Sequence, residues 1–234
     1  MASIVKFGTI NMLTAGLFDG WTSIGEVASS GEIGLGSFHG LDGEMLMLDG
    51  DVYRMGTDGV PHRVDSTTTT PFAVVGTFEA PESFEIRNCD GWDDLAAALD
   101  PRLIDPNRPA VIRIDGRFTR TRARSVPGQS KPYPSLGEVA AHQSVYDLPA
   151  CEGTMVGFHF PEYLQAIDVA GYHLHVIDDA RRCGGHVLDV AIERATVRIE
   201  SVGRFEVRLP DDPDFREAAL VADTHAEVQR AERA

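Results

Sequence analysis

The feature that most constrains this chain is a short run, residues 171–177, in which apolar residues alternate with two histidines. A period of two is typical of a β-strand, so His173 and His175 are predicted to point to the same side of a sheet. A stretch of turn composition follows, and His186 then opens a second apolar strand. The pattern predicts a hairpin that gathers three imidazoles, which supply three of the four corners of a tetrahedral metal site.

The ordinary alternative for each of these histidines is a hydrogen-bonded core residue. A single histidine on an apolar face more often has that role than the role of a metal ligand. Two on one strand face, with a third after a double glycine, would need polar partners for every buried ring, and we therefore favour a metal. Nitrogen ligands alone suit zinc, copper, nickel or iron. Cys183 lies close to the cluster in sequence and is a further candidate ligand, although a small turn residue is its more ordinary role.

Charge and cysteine usage limit the partners that the chain can have. The 234 residues carry a formal net charge of -15, which argues against nucleic acid and anionic membranes as partners. The net charge says nothing specific about a small anionic substrate, whose binding depends on the local field. Three cysteines are scattered without CxxC spacing, which fits free thiols in a reducing compartment. No run approaches the roughly 18 apolar residues of a membrane span, and the N-terminal stretch lacks the basic start of a secretory signal. We expect a cytoplasmic protein.

Periodicity elsewhere predicts further strands. Asp49-Gly50 is a strong signal for a two-residue turn, and the alternating residues on both sides predict a hairpin around it. Later in the chain, residues 196–200 and 205–209 alternate in the same way. We expect these two segments to form a pair of strands around a turn at Gly203.

Helical spacing is confined to a few stretches, so strands dominate the predicted structure. The pattern indicates an α+β fold with mixed or antiparallel sheets in two tightly packed β-rich halves, and with the metal site on the His-x-His strand. We expect residues 1–234 to form one compact unit, with an N-terminal sheet half over 1–135 and a metal-binding half over 136–234. The predicted helices cover residues 22–30, 92–99 and 215–233.

Two groups of charged residues have both an ordinary interpretation and a functional one. Arg120, Arg122 and Arg124 are spaced by two, so one strand face is predicted to carry three guanidinium groups. The ordinary interpretation is an edge strand protected by charge, and the functional one is a local basic site in an acidic chain. Glu44 lies at the end of a predicted strand, where a carboxylate is usually no more than surface charge.

Several motifs that follow one another along the chain resemble those of one known family. They are Gly36-Ser37-Phe38, Leu41-Asp42-Gly43-Glu44, Arg124-Ser125-Val126-Pro127, Gly171-Tyr172-His173-Leu174-His175 and Gly184-Gly185-His186-Val187-Leu188-Asp189. In this order and combination they resemble the acetolactate decarboxylases, over essentially the whole chain. Ser37 departs from the threonine that the family often has, which keeps the hydroxyl. Val176 stands where phenylalanine is common, so the local packing differs.

The resemblance implies an enzyme that converts 2-acetolactate to acetoin and carbon dioxide through a metal-stabilised enediolate. It implies that the metal is zinc and that the ligands are His173, His175 and His186. Three neutral imidazoles leave the ion its full double charge, which suits a Lewis acid that stabilises negative charge on the substrate. The resemblance also implies a homodimer.

The same resemblance implies roles for residues outside the histidine cluster. Glu44 and Arg124 would be the acid/base group and the group that handles the substrate carboxylate, and Ser37 would line the pocket. The family sends a glutamate near its C-terminus back towards the site. Glu232 matches that glutamate best by its distance from His186, and Glu227 is the alternative.

Two other functions stay open on the residues alone. Cupin-type metal dioxygenases and isomerases also place His-x-His on a strand with a later histidine, but they commonly add a glutamate a few residues after the pair. Here that position offers only Asp178 and Asp179, in a predicted turn. The other alternative is a metal-binding module without catalytic activity, which would leave Arg124 and Glu44 without a purpose.

Overall fold

The structure is a computed structural model that describes residues 1–220 and Val228. Within these residues strands dominate, and the α-helices are short: α1 Ile10–Thr14, α2 Ile24–Ala28, α3 Trp92–Leu99, α4 Leu136–Ala140 and α5 Pro213–Glu217. The strands are β1 Ser3–Phe7, β2 Thr22–Ser23, β3 Ile33–Ser37, β4 Glu44–Leu48, β5 Asp51–Met55, β6 Pro61–Arg63, β7 Thr69–Thr70, β8 Ala73–Thr77, β9 Glu82–Cys89, β10 Ala110–Ser125, β11 Ser144–Leu148, β12 Cys151–Phe160, β13 Gly171–Asp178, β14 Gly184–Ser201 and β15 Phe205–Arg208.

One large sheet has seven strands in the order β15-β1-β8-β3-β4-β5-β6. It is a mixed sheet, because β15 runs parallel to β1 while the other neighbours are antiparallel. The β4–β5 hairpin turns at Asp49 and Gly50, whose φ angles of 52° and 85° are the positive values that a tight two-residue turn requires. The hairpin that the sequence predicts here is therefore confirmed.

The second large sheet has six strands in the order β11-β10-β12-β13-β14-β9. The long strand β10 pairs with β12 along one edge and with β14 along the other. Because β12, β13 and β14 are also paired in succession, these four strands close on themselves. The β13–β14 hairpin that carries the histidines is thereby held from both sides.

The two large sheets pack face to face. Ile4 and Leu46 of the seven-stranded sheet lie in one buried cluster with Val156 and Ile177 of the six-stranded sheet. On β13, successive side chains point to opposite faces, so Leu174 and its neighbours at period two pack instead into a second cluster that includes residues of α3. His173 and His175 share the face of Ile177, and they therefore point into the layer between the sheets.

The α+β class with two packed β-rich parts is confirmed. The boundary between the sheets does not coincide with residue 135, since β9 and β10 belong to the six-stranded sheet and β15 returns to the seven-stranded one. The two strands predicted on either side of Gly203 are confirmed as the end of β14 and as β15, but they do not pair with each other. Both edges of β14 are occupied near its end, where Ile199 is aligned with residues of β9 and of β10, so the chain leaves this sheet and β15 pairs with β1.

The predicted helices at 22–30 and 92–99 correspond to α2 and α3. The third predicted helix, at 215–233, overlaps α5 at its start, and most of it lies outside the described residues. In the part of the chain that the structure describes, no helix has the length and apolar character needed to cross a membrane.

Candidate metal centre

Three buried imidazoles meet at one point between the two sheets. His175 Nε2 lies 3.2 Å from His173 Nε2 and 3.3 Å from His186 Nδ1, and the remaining pair of nitrogens is 3.1 Å apart. The side-by-side register of β13 and β14 produces this arrangement, because His175 is aligned with His186 across the hairpin. The structure thus brings together all three histidines that the sequence singles out.

The spacing of these nitrogens fits a tetrahedral ion. Metal–nitrogen bonds of about 2.0–2.1 Å in a tetrahedron require ligand nitrogens about 3.3–3.4 Å apart. The observed spacings are 3.1–3.3 Å. Among the described residues, these histidines are the one group of three or more potential ligands close enough to share an ion. Cys183 is not in that group.

The protonation of the rings also suits a metal. His175 Nδ1 donates to the Met45 carbonyl oxygen at 2.7 Å, which leaves the lone pair on Nε2 directed at the centre. Burial lowers the pKa of His173 and of His175 well below its usual value, and the nearby Arg124 charge acts in the same direction. Both rings are therefore neutral, the form in which imidazole binds a cation.

The double glycine before His186 has a steric cause. A Cβ on Gly184 would lie 2.5 Å from the Val176 carbonyl oxygen, and a Cβ on Gly185 would lie 2.9 Å from the Arg124 carbonyl oxygen. Gly185 also has a φ of 156°, at the limit of what a residue with a side chain adopts. Only glycine lets β14 approach its neighbours closely enough to place His186 beside the other two rings.

A buried ion pair completes one side of the site. Arg124 Nη1 lies 2.9 Å from Glu44 Oε1, and the two side chains are 6% and 7% exposed. Glu44 comes from β4 of the seven-stranded sheet, whereas Arg124 lies on β10 directly opposite His186. Glu44 Oε2 is 3.5 Å from His175 Nε2, and Arg124 Nη2 is 3.5 Å from His186 Nδ1. Both charged groups thus border the point at which the three imidazole rings converge.

A pocket adjoins the histidines and this ion pair. Ser37 lies in its wall, and the Ser37 hydroxyl donates to the Gly43 carbonyl oxygen at 2.8 Å, which fixes the turn immediately before Glu44. The rest of the wall is mostly apolar and comes largely from α1, α4 and the segments around them. These residues are Ile10, Leu13, Leu41, Phe72, Val126, Leu136 and Ala140.

The other sequence candidates lie elsewhere. Arg120 and Arg122 are exposed and pair with Asp189 and Asp147, so Arg124 alone of the three arginines reaches the site. The three arginines thus differ in environment, and the β10–β14 register shifts after Arg122, between the exposed pair and the buried Arg124. Glu232 and Glu227 lie outside the described residues.

Sequence reasoning missed two parts of the site. The Met45 carbonyl that orients His175 is a backbone atom, and no residue type signals it. The apolar wall of the pocket is supplied in part by Leu13 of α1 and Leu136 of α4, which are far apart in sequence. The capping residues Thr9 and Ser135 mark the starts of both helices and are the available signal for them.

Comparisons with known proteins agree with this geometry. The profile of the family described as Alpha-acetolactate decarboxylase matches residues 4–222. The alpha-acetolactate decarboxylase of Methanosarcina mazei is 38% identical over 230 residues, which cover 98% of this chain and 80% of the relative. That of Methylococcus capsulatus is 39% identical over 229 residues, covering 98% of this chain and 88% of the relative. The crystal structure of alpha-acetolactate decarboxylase from Bacillus subtilis strain 168 matches with a TM-score of 0.95 at 33% identity, covering 99% of this chain and 100% of that one. The chain belongs to the alpha-acetolactate decarboxylase family of carboxy-lyases.

Proposed function

We propose that this chain decarboxylates 2-acetolactate to acetoin and carbon dioxide, with zinc held by His173, His175 and His186. The observation that carries the proposal is the convergence of three imidazole nitrogens beside the buried Glu44–Arg124 pair, at the end of a pocket. Membership of the decarboxylase family supplies the reaction class and the substrate. We also propose that the protein is cytoplasmic and that it forms a homodimer. Light scattering of the purified protein tests the homodimer.

The donor set suits the metal. Three nitrogen ligands with an open fourth position are typical of catalytic zinc, and they leave the charge of the ion undiminished. When bound, such a dication supplies a Lewis acid for the negative charge that develops on the substrate oxygens. The Met45 carbonyl holds the His175 ring in the orientation that this binding requires.

Arg124 is proposed to orient the substrate carboxylate. Its guanidinium is planar, stays charged at any working pH and can contact a carboxylate through two parallel hydrogen bonds. The pair with Glu44 and the position beside His186 fix this group at the edge of the metal position. A carboxylate held there lies next to the oxygens that the metal would bind, so the carbon–carbon bond to be broken is correctly placed.

Glu44 is proposed to handle the proton. As the bond to the carboxylate breaks, its electron pair passes to the neighbouring carbonyl and gives an enediolate, which must take up a proton on one carbon. The Glu44 carboxyl is buried, and its Oε2 is 3.5 Å from a proposed ligand nitrogen. It can therefore reach this carbon as an acid or as a relay. The apolar pocket wall would exclude competing water.

A second glutamate is proposed to approach the site from the C-terminal segment. Val228 is 2% exposed and belongs to the apolar cluster that contains Ile10 and Leu136 of the pocket wall. Glu232 follows Val228 by four residues in the sequence, and Glu227 directly precedes it. Comparing the turnover of Glu232→Gln with that of Glu227→Gln identifies the residue that takes part.

The decisive test is incubation of the purified protein with racemic 2-acetolactate while acetoin is followed. We expect acetoin formation that a chelator abolishes and that zinc restores. Metal binding without carbon dioxide release would indicate a module without catalytic activity. Oxygen consumption by the iron-loaded protein, without acetoin, would indicate a cupin-type reaction instead.

The variant Glu44→Gln tests the proton role separately. It keeps the shape of the side chain, so we expect a normal metal content by elemental analysis. Turnover should fall roughly 100-fold or more, the usual contribution of a positioned acid or base. Glu85→Gln, at an exposed position on β9, is the matched control and should retain full activity. Near-normal turnover of Glu44→Gln would refute this role.

A further inference from the structure

A tyrosine outside the candidate metal centre holds the first residue of β14. Tyr146 lies in the middle of β11, the outermost strand of the six-stranded sheet, and is aligned with Ala123 of β10. Its hydroxyl donates to the Gly184 carbonyl oxygen at 3.0 Å. Burial raises the pKa of Tyr146 above its usual value, so the hydroxyl keeps its proton and remains a donor. Because Gly184 precedes His186 by two residues, this hydrogen bond fixes the backbone that leads into one of the three histidines.

The same residue of β14 is also held from the other large sheet. The Gly184 amide donates at 2.9 Å to the carbonyl oxygen of Gly59, which lies in the loop between β5 and β6. That loop is itself closed by a hydrogen bond of 2.9 Å from the Gly59 amide to the Gly56 carbonyl oxygen. Gly184 is therefore anchored through its amide by the seven-stranded sheet and through its carbonyl by Tyr146 of the six-stranded sheet.

Steric contacts show how closely the tyrosine fits against two glycines. Gly59 has a φ of 67°, and a Cβ there would lie 2.6 Å from Tyr146 Cε2. A Cβ on Gly185 would lie 2.7 Å from the Tyr146 hydroxyl oxygen. A side chain at either position would displace the ring, so glycine at both positions lets the tyrosine reach the hairpin. The ring also packs against the apolar cluster that includes Val176 and Val187.

The strand pairing that holds His186 is short. Among the described residues, β14 is aligned with β13 over three residue pairs, which run from Gly184 to His186. The register between β14 and β10 shifts between Val187 and Asp189, so an irregularity separates the end of β14 that carries His186 from the rest of the ladder. The orientation of this end therefore depends on contacts from outside the two ladders, and the Tyr146 hydroxyl supplies one of them.

We propose that Tyr146 is a positioning residue for the metal centre and that its hydrogen bond to the Gly184 carbonyl holds His186 in the orientation that binds the ion. The inference rests on the metal ligation in the proposed function, and it does not depend on the reaction that the metal supports. Without the hydroxyl, the Gly184 carbonyl loses its partner and the segment up to His186 can relax. Groups that orient a metal ligand change metal affinity when they are removed. Tyr146 acts through one hydrogen bond to the backbone, so we expect a loss of affinity of roughly threefold to tenfold.

The test is titration of the metal-free full-length protein with Co²⁺, whose visible absorption reports the geometry of its ligands, and measurement of Zn²⁺ affinity by competition with a chromophoric chelator. Tyr146→Phe keeps the ring and removes the hydroxyl. It should weaken the binding of both ions roughly threefold to tenfold and change the Co²⁺ spectrum. Tyr163→Phe is the matched control, because the exposed Tyr163 also donates to a backbone carbonyl oxygen, that of Asn107 at 3.0 Å. This control should leave the affinity and the spectrum unchanged.

A second measurement tests the contact between the tyrosine and the hairpin. A Cβ at position 185 would lie 2.7 Å from the Tyr146 hydroxyl oxygen, so removing the hydroxyl relieves part of the clash that Gly185→Ala introduces. The affinity loss of the double variant Gly185→Ala/Tyr146→Phe should therefore be smaller than the product of the two single losses. Losses that simply multiply would show that the hydroxyl does not act on this segment, and they would overturn the proposal.

Failure of this inference and failure of the proposed reaction give different results. If Tyr146→Phe lowered the urea midpoint but left metal affinity and the Co²⁺ spectrum unchanged, the hydrogen bond would be merely structural and the proposal would be overturned. Wild-type protein that binds both ions but forms no acetoin would contradict the decarboxylation, while the comparison of Tyr146→Phe with wild type would still decide the positioning role. Wild-type protein that binds neither ion would overturn both. Circular dichroism establishes that each variant is folded.

Discussion

The buried ion pair between Lys6 and Asp168 should dominate the stability of the region behind the pocket. Lys6 Nζ lies 3.0 Å from Asp168 Oδ2, and the side chains are 0% and 1% exposed. Lys6 lies on β1 of the seven-stranded sheet, and Asp168 lies just before β13, so the pair joins the two sheets. The ammonium also stands 2.9 Å from the ring centroid of Phe72, a residue of the pocket wall.

The magnitude follows from this burial. Removing one partner leaves an uncompensated charge in a dry interior, so Lys6→Met and Asp168→Asn should each cost about 3–5 kcal/mol. Lys6→Met also forfeits a cation–π contact with Phe72 worth about 0.5–2 kcal/mol. The double variant removes both charges, and the amide oxygen that Asp168→Asn introduces can still accept from the Val169 amide, as Asp168 Oδ1 does at 2.8 Å. The double variant should therefore lose only about 1–2 kcal/mol of unfolding free energy.

Urea unfolding of the four proteins, followed by circular dichroism, measures the coupling. The exposed Arg87–Glu85 pair, with nitrogen and oxygen 2.8 Å apart, is the matched control, and removing one or both of its charges should change stability by less than about 1 kcal/mol. If the costs at Lys6 and Asp168 were additive, the double variant would lose about 6–10 kcal/mol, as much as the whole stability of many domains. The reasoning would be refuted if the stability losses of the two single variants were additive in the double variant. It would also be refuted if the double variant were unfolded while both single variants were folded.

Three further outcomes are expected. Gly185→Ala should weaken metal binding and destabilise the protein, because its Cβ would lie 2.9 Å from the Arg124 carbonyl oxygen. Gly50→Ala, whose Cβ would have nothing within 4 Å, should cost only about 1 kcal/mol of stability and leave metal binding intact. Metal titration and urea unfolding compare the two variants. Arg124→Lys should retain the metal but raise KM roughly tenfold to 100-fold, since a charge-assisted hydrogen bond of about 1.5–3 kcal/mol is lost, and an unchanged KM would exclude the carboxylate role. Burial and the Asp19 carboxylate raise the pKa of Tyr133 to about 12. The contribution of Tyr133 to stability is therefore present below pH 10 and is lost as the pH rises towards 12, so the thermal midpoint should fall over that range. Tyr133→Phe should abolish this fall in the thermal midpoint.

The histidine hairpin could be predicted because local chemistry determines it. The period of two on β13 decides the face to which His173 and His175 point, and the turn signal decides that the chain reverses before His186. Gly184 and Gly185 can be interpreted for the same reason, since each marks a place where a side chain would not fit. These features depend on sequence neighbours and need no knowledge of which strands meet.

Strand partners could not be predicted in the same way. Alternation at residues 205–208 marks a strand, but it cannot show that the edges of β14 are already occupied and that β1 offers a free edge. The same limit applies to the site. Strand position alone leaves Glu44 as an ordinary surface charge, and only the packing of the two sheets places it 2.9 Å from Arg124, which is 80 residues away in the sequence.

The pairing of the buried charges explains how a strongly acidic chain can bind an anionic substrate. Near the site, Arg124 neutralises Glu44 and Lys6 neutralises Asp168, while the paired rings of His173 and His175 are neutral. The local protein charge is therefore close to zero, although the whole chain carries -15. A divalent ion placed there would keep its charge uncompensated in a low-dielectric pocket, where its attraction for an anion is strongest. Distant surface carboxylates oppose this attraction only weakly, because solvent and salt screen them.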